Sequence, residues 1–195
     1  MSLRSQVLDW LSKNVPPARV QHILGVEQMA LRLADHYQVD PCQAQTAALM
    51  HDLAKYFPSQ RLLEWARAEP IPLDPILEQY PHLIHADVSA LVARTEFGIE
   101  EAEILQAIAH HTLGSPGMTS LSCIVFLADT LESGRGQTPE LNRLRQVSFE
   151  NLHRAVWQTC DYTLQYLIQT GRTIHPRVIS TRNWALAMAR DDSHG

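Results

Sequence analysis

The stretch DPCQAQTAALMHDLAKYF, from Asp40 to Phe57, decides the fold class. Asp40 followed by Pro41 is a typical helix start, because the carboxylate can cap the first turn and proline fits the first helical position. Apolar residues then recur at helical spacing, which predicts a helix that ends near His51 and Asp52. The sequence therefore predicts a histidine and an aspartate side by side in the last turn of a helix.

Helical spacing continues on both sides of this stretch, and strand-like alternation of apolar and polar residues is absent. We therefore predict an all-α protein, a compact helical bundle. Three further helices are predicted from their starting signals: one begins after Ser2, one begins at a Ser59 cap, and one runs from a Ser148 cap to Gly171. The remaining predicted helices cover about 17–37, 84–97, 100–111, 120–131 and 178–190. Prolines between residues 70 and 82 predict an irregular segment.

Length and composition predict the domain organisation. The chain has 195 residues, of which 45% are hydrophobic and 19% charged, as expected for one globular domain. We predict a single domain over residues 1–190, with a functional core at about 17–135, C-terminal helices over 138–190, and a polar tail at 191–195.

Charge and cysteine usage limit the partners and the compartment. The formal net charge of −5 has the wrong sign for general attraction to nucleic acid or a membrane surface, so local positive groups must hold any anionic ligand. The three cysteines form no CxxC pair, and no apolar run approaches the roughly 18 residues that cross a bilayer. We predict a cytoplasmic protein that binds neither nucleic acid nor membrane.

Histidine is unusually frequent, with ten copies in the chain. Several of these histidines and two aspartates fall at or near predicted helix ends, in the order His22, His51–Asp52, His85, His110–His111 and Asp129. Imidazole and carboxylate groups together suit zinc, iron or manganese, whereas a structural zinc site would favour thiolates. The pattern predicts a metal centre without cysteine.

The same order resembles the HD-domain metal-dependent phosphohydrolase superfamily. Four local strings are similar to its YqeK-type branch, the symmetrical bis(5'-nucleosyl)-tetraphosphatases: RxxHxxGV at 19–26, HDxAK at 51–55, HTxG at 111–114 and ADxxExGR at 128–135. The resemblance implies one HD hydrolase domain that cleaves diadenosine tetraphosphate symmetrically to two ADP. It also implies attack on phosphorus by a hydroxide that bridges two metal ions.

The resemblance implies a division of the ligands between the two metals. One metal would take His22, His51, Asp52 and Asp129, and the other would take Asp52, His85 and His111. Asp52 and Asp129 are the predicted catalytic carboxylates. The metals are expected to be two divalent or mixed-valence ions, with iron implied by the family and manganese or cobalt as alternatives.

Two positions depart from the family pattern, Ala86 and His110. We predict His111 as the inherited ligand and keep His110 as an additional candidate. His82, three residues before His85, competes for the same position.

A polyphosphate needs positive and hydrogen-bonding groups besides the metals. The predicted substrate-binding residues are Lys55, Thr112, Arg135 and Arg19. Glu132 is expected to orient a metal-binding histidine, with a general-acid role as the alternative. An adenine could stack on aromatic residues near the irregular segment, although such residues more often pack onto the core: Tyr56, Phe57, Trp65 and Tyr80.

Two other functions are weighed against this one. An HD-type phosphohydrolase could act on (deoxy)nucleoside mono- or triphosphates instead. A helical scaffold with a relic metal site is a different class, but every motif position still carries a residue able to bind metal. The sequence leaves the oligomeric state open, a homodimer included.

Overall fold

A computed structural model describes residues 2–69 and 71–191, and these residues form helices joined by turns, without a strand. The described α-helices are α1 (Leu3–Asn14), α2 (Pro17–His36), α3 (Pro41–Met50), α4 (Ser59–Ala68), α5 (Pro75–Gln79), α6 (His85–Phe97), α7 (Ala102–His110), α8 (Ser120–Leu131), α9 (Pro139–Glu150), α10 (Leu152–Gln169) and α11 (Pro176–Asp191). Short 3₁₀ helices cover Pro81–Ile84 and Ser133–Arg135. The prediction of an all-α protein is confirmed.

Helix α8 is the centre of the bundle. Every residue from Leu121 to Ala128 is buried, which is typical of a helix that is covered on all sides. Helices α2, α3, α7, α9 and α10 pack around it. Because α2, α3 and α7 all contact α8, chemically active residues on these helices can meet near its carboxyl end.

Several predicted helix ends are confirmed. Asp40 accepts a hydrogen bond from the Cys42 amide at 2.8 Å and Pro41 is the first residue of α3. Gly98 ends α6 in the left-handed region, with φ of 67°, which glycine adopts without a steric penalty. Both signals act over a few residues, which is why they can be read from the sequence.

The prediction of one long helix capped by Ser148 is wrong. Ser148 is buried inside α9, where its hydroxyl donates to the Arg145 carbonyl. The chain turns extended at Asn151, with φ of −155°, and the Asn151 side chain caps α10 by accepting from the Arg154 amide. The Ser59 cap is also wrong, because Pro58 occupies the cap position and Ser59 is the first residue of α4.

The predicted irregular segment contains more helix than expected, namely α5 and the 3₁₀ turn at Pro81–Ile84; Pro70 lies outside the described residues. The Asp74 carboxylate caps α5. The predicted start of the tail at Asp191 is too early, since α11 includes Asp191, and residues 192–195 lie outside the described part of the chain. Within the described ranges, no helix combines the length and the apolar character that crossing a membrane requires.

Candidate metal centre

Five helices bring the six predicted ligands together. The described residues contain two groups whose ligand atoms lie within 4.8 Å of one another, and His51 belongs to both: His22, His51 and Asp129, and His51, Asp52 and His111. The remaining predicted ligand, His85, joins the second group, because its Nε2 atom lies 3.1 Å from His111 Nε2. The six residues form one cluster, and their role as ligands stays a prediction.

The cluster has two sides, with His51 and Asp52 between them. We call His22, Asp129, Glu132 and Arg135 the His22 side, and His85, His111, Lys55 and Thr112 the His85 side. Asp52 Oδ2 lies 3.4 Å from His51 Nε2, while Asp52 Oδ1 lies 3.2 Å from His85 Nε2 and 3.6 Å from His111 Nε2. Asp52 is therefore the carboxylate placed to serve both sides.

Backbone carbonyls orient three of the histidines. The Nδ1 atoms of His51, His85 and His111 lie 2.6, 2.6 and 2.8 Å from carbonyl oxygens three residues earlier. A carbonyl oxygen only accepts, so each Nδ1 carries the proton and each Nε2 presents a lone pair. All three lone pairs point into the cluster.

This arrangement fits a cation. His51 Nε2 and Asp52 Oδ1 are buried without a hydrogen-bond partner, and the Nε2 atoms of His85 and His111 face each other. Buried acceptors that face one another repel unless a positive group lies between them, and a metal ion is the usual solution. The donor set of imidazole nitrogens and carboxylate oxygens suits a divalent transition metal.

The pKa shifts agree with charged carboxylates and neutral imidazole at the His85 side. Burial and the charge of Lys55, opposed in part by the Asp52 carboxylate, lower the pKa of His85 to about 4. Burial alone would raise the pKa of Asp52, but the surrounding imidazoles, that of His51 first, hold it well below its usual range. Neutral His85 and ionised Asp52 are the forms that bind metal.

A carboxylate rather than a carbonyl orients His22. The buried Glu132 side chain accepts a hydrogen bond from His22 Nδ1 at 3.0 Å and another from the Gly134 amide. His22 Nε2 then faces Asp129 Oδ1 at 3.0 Å. A Cβ atom at Gly25 would overlap the Glu132 carboxylate, so this approach needs glycine one turn after His22.

Two arginines contact the carboxylates of the cluster. Arg19 Nη1 lies 3.0 Å from Asp52 Oδ2, and Arg135 Nη2 lies 2.6 Å from Asp129 Oδ1. Arg135 Nε also donates to the Asp129 carbonyl at 2.8 Å. Both predicted phosphate-binding arginines therefore lie at the edge of the cluster.

Lys55 and Thr112 reach the opposite side. Lys55 Nζ lies 3.1 Å from His85 Nε2, and Thr112 Oγ1 lies 3.0 Å from His111 Nε2 and 3.2 Å from His85 Nε2. All four predicted substrate-binding residues surround the predicted ligands. Their contact with a substrate stays a prediction.

His110 and His82 lie outside both ligand groups found among the described residues. Burial and the charge of Arg177, opposed by the charge of Asp87, lower the pKa of His110. The His82 side chain is exposed, and only its backbone carbonyl reaches His85. The structure therefore gives neither residue a place beside the six clustered side chains.

His175 lies outside the four sequence strings that resemble the family. It is buried, its Nε2–H donates to Asp74 Oδ2 at 2.7 Å, and its Nδ1 accepts from the Arg177 amide. The pair joins residues 101 positions apart and ties the irregular segment to the start of α11. No motif in the sequence marks this pair, because its members belong to distant segments.

The four aromatic residues considered for adenine stacking lie in two kinds of environment. Phe57 and Trp65 pack against the hydrophobic core, as the more common role of such residues predicts. Tyr56 is exposed beside Arg19, and Tyr80 lines a cavity whose wall also includes His82 and Leu113.

The clustered residues lie in the part of the chain that matches a known protein family. The HD domain family model matches residues 19–134, the range that contains all six clustered side chains. The chain is 33% identical over 183 residues to "Bis(5'-nucleosyl)-tetraphosphatase, symmetrical" from Halalkalibacterium halodurans, covering 94% of this chain and 97% of that protein. It is 30% identical over 184 residues to the protein of the same description from Bacillus subtilis, covering 94% and 98%.

A solved structure has the same fold. A crystal structure from Clostridium acetobutylicum, described as a predicted HD superfamily hydrolase involved in NAD metabolism, superposes with a TM-score of 0.90 at 31% identity. The match covers 94% of this chain and 97% of that one. The likeness therefore extends through the C-terminal helices as well as the His/Asp cluster.

Proposed function

The chain belongs to the HD-domain family and, within it, to the symmetrical bis(5'-nucleosyl)-tetraphosphatases, and we propose that it hydrolyses diadenosine tetraphosphate to two ADP at the His/Asp cluster. The observation that carries the proposal is one cluster of six buried or half-buried acceptors with Arg19, Lys55 and Arg135 at its edge. Relatives aligned over nearly their whole length favour this reaction over hydrolysis of nucleoside mono- or triphosphates.

The His/Asp cluster is a divalent-metal site, and we propose iron as the metal, with manganese or cobalt as the alternatives. The residues that would hold the metals are His22, His51, Asp52, His85, His111 and Asp129. When bound, the metals lower the pKa of water toward neutrality and offset the charge on the phosphate oxygens.

The protein's own groups then bind and orient the polyphosphate. Arg19 and Arg135 neutralise Asp52 and Asp129 from the solvent side, where they can also donate to phosphate oxygens. Lys55 and Thr112 offer donors at the His85 side. These groups let an acidic protein accept a substrate with several negative charges.

The reaction needs only water as the second reactant. The water oxygen bonds to the second phosphorus of the tetraphosphate. The bond from that phosphorus to the bridging oxygen between the second and third phosphates breaks. One ADP takes the oxygen of water, and the other leaves with the bridging oxygen. Burial raises the pKa of Cys123 and Cys160 to about 12, so these thiols stay protonated and are no candidates for the nucleophile.

The decisive experiment measures metal content, product identity and isotope incorporation together. Purified protein is analysed for metal and incubated with diadenosine tetraphosphate in ¹⁸O-water, and the products are separated by ion exchange. We expect about two metals per chain and ADP as the sole product, with one labelled oxygen for each bond cleaved. ATP with AMP, or nucleoside with phosphate, would contradict the proposal.

A further inference from the structure

The guanidinium of Arg145, on α9, contacts the backbone at and beyond the end of α8. Its Nε donates to the Leu131 carbonyl at 2.7 Å, and its Nη2 donates to the carbonyls of Glu132 and Gly136 at 3.0 and 2.8 Å. Leu131 is the last residue of α8, so its carbonyl has no partner within the helix. Arg145 therefore satisfies the carboxyl end of α8 and also holds the chain beyond it, as far as Gly136.

Arg145 has no hydrogen-bond donor left for a ligand. Its Nε and Nη2 groups serve the three backbone carbonyls. Its Nη1 group faces Asn142 Oδ1 at 2.8 Å and Gln137 Oε1 at 3.5 Å. Because a guanidinium donates in a fixed fork, these contacts together use all of its N–H groups. The side chain therefore fixes the protein chain, whereas Arg19 and Arg135 are the arginines placed to meet phosphate.

The segment that Arg145 holds carries the carboxylate that orients His22. We call residues 132–138, between α8 and α9, the α8–α9 turn. Glu132 is its first residue, and the Glu132 carboxylate accepts from His22 Nδ1 at 3.0 Å. The bonds from Arg145 fall on the carbonyls of Leu131, Glu132 and Gly136, so they begin before Glu132 and end well after it. The backbone that presents the carboxylate is therefore fixed on both sides.

The position of the Glu132 carboxylate depends on the path of this backbone. The carboxylate accepts a hydrogen bond from the Gly134 amide, within the same turn. A Cβ atom at Gly134 would lie 2.9 Å from each carboxylate oxygen, so the side chain folds closely over its own turn. A change in the backbone would therefore carry the carboxylate away from His22.

We propose that Arg145 is a positioning residue: by fixing the α8–α9 turn, it sets the Glu132 carboxylate against His22. Among the described residues, its hydrogen bonds go to the end of α8, to the turn and to α9, and not to the six clustered side chains. An arginine that only ended a helix would bond its last carbonyls, whereas Arg145 also bonds Gly136 beyond the 3₁₀ helix. The inference rests on the proposed function, in which the cluster holds the metals.

The test changes Arg145 and compares it with a neighbour on the same helix. Arg145→Met removes the guanidinium and keeps an unbranched side chain. Arg145→Lys keeps the charge, but one compact ammonium group cannot reproduce the fork that reaches both ends of the turn. Arg143→Met is the matched control, because Arg143 is exposed on α9 and donates to Gln158 Oε1 at 2.7 Å instead. Circular dichroism and urea unfolding show whether each variant is folded, and Arg145→Lys carries the test if Arg145→Met is not.

The readout is metal retention, which needs no substrate. Each protein is loaded with Mn²⁺ and dialysed against increasing EDTA, and the metal per chain is measured by elemental analysis. We expect Arg145→Met to lose one metal of about two at an EDTA concentration about tenfold lower than wild type. The second metal should leave at the same concentration as in wild type. Arg145→Lys should fall between the two proteins, and Arg143→Met should match wild type.

A double-mutant cycle separates positioning through Glu132 from general stabilisation. Glu132→Ala removes the carboxylate through which Arg145 is proposed to act. In that background, Arg145→Met should therefore lower metal affinity by at most about twofold, the size of ordinary deviations from additivity, instead of about tenfold. Residues that act independently would give the same loss in both backgrounds.

The outcomes separate this inference from the proposed function. Wild-type metal retention in both Arg145 variants would overturn the inference, and so would an undiminished loss in the Glu132→Ala background. Equal loss of both metals together with a lower urea midpoint would also overturn it, since Arg145 would then stabilise the fold in general. A wild type that leaves diadenosine tetraphosphate uncut would refute the function, and the EDTA series would still decide the role of Arg145.

Discussion

The two sides of the His/Asp cluster are built by different means. On the His85 side, backbone carbonyls orient the histidines, and the His85 and His111 side chains are 2% and 1% exposed. On the His22 side, the Glu132 side chain orients the histidine, and His22 and Asp129 are 10% and 20% exposed. On the His85 side, the histidine orientation is fixed once the helix ends form. On the His22 side, it also depends on the Glu132 carboxylate and on the space that Gly25 leaves for it.

The largest expected effect comes from the residue that joins both sides. Asp52→Ala should lower kcat by about 10³-fold or more, because both sides lose a carboxylate that serves as ligand and charge partner. Helical content by circular dichroism should stay near that of wild type. Asp35→Ala, at an exposed position of α2, is the control and should keep full activity. Near-normal turnover of Asp52→Ala would refute the proposed mechanism.

Glu132→Ala should affect the His22 side more than the His85 side. Loss of a carboxylate that orients a metal-binding histidine typically costs about 10–100-fold in metal affinity or activity. We expect metal content to fall from about two toward one per chain, with Glu132→Gln recovering part of the loss because its amide oxygen can still accept from His22 Nδ1. Equal loss of both metals would show that the two sides are not independent.

Gly25→Ala tests the same dependence from the neighbouring helix. The added methyl group would overlap the Glu132 carboxylate and displace it from His22. We expect the same pattern of metal loss as for Glu132→Ala, about 10-fold or more in affinity. Gly98→Ala is a useful comparison, because no atom lies near the added methyl group and its effect should be on stability alone. Normal metal binding in Gly25→Ala would argue against a positioning role for Glu132.

Lys55→Met and Arg135→Met compare the substrate contacts on the two sides. Hydrogen bonds to charged groups contribute about 1.5–3 kcal/mol, and exposure reduces this, so KM should rise about tenfold for each variant. Metal analysis of each variant separates lost substrate binding from lost metal. An unchanged KM for Lys55→Met would remove Lys55 from the substrate-binding residues.

The smallest expected effect is a pH dependence at the Asp74–His175 pair. The Leu77 amide, His175 and the Ile76 amide together lower the pKa of Asp74 against the opposing effect of burial. A lowered carboxyl pKa stabilises the folded state above the unfolded pKa of about 3.9, and this stabilisation is lost as the pH falls below it. Asp74→Asn should therefore be less stable than wild type in urea at pH 6, with the difference shrinking toward pH 3. A constant difference across this range would contradict the assignment.

Local signals explain what the sequence predicted well. Helix starts at Asp40–Pro41 and the helix end at Gly98 follow from capping chemistry within a few residues. The same rule failed at Ser148, because a serine that can cap a helix can equally sit inside one and donate to a carbonyl. Asn151, three residues later, has both the extended backbone and the capping contact.

Some residues of the candidate site could also be selected from the sequence, whereas others could not. The six clustered histidines and aspartates could be selected from their order in the sequence and from family resemblance. The role of Gly25 could not be selected in this way. A side chain at this position would overlap Glu132, which lies 107 positions away by residue number. The Asp74–His175 pair and the cavity beside Tyr80 likewise join segments that no local pattern connects.

The sequence by itself determined that the chain is helical and which residue types are available for metal and phosphate chemistry. Helical periodicity and capping depend on neighbours within about one turn, so one sequence carries this information. Only the tertiary structure decided which nitrogen of each histidine is free, which carboxylate faces both sides, and that a cavity opens between the irregular segment and the segment before α11. These features depend on distances between helices, and packing around α8 sets those distances.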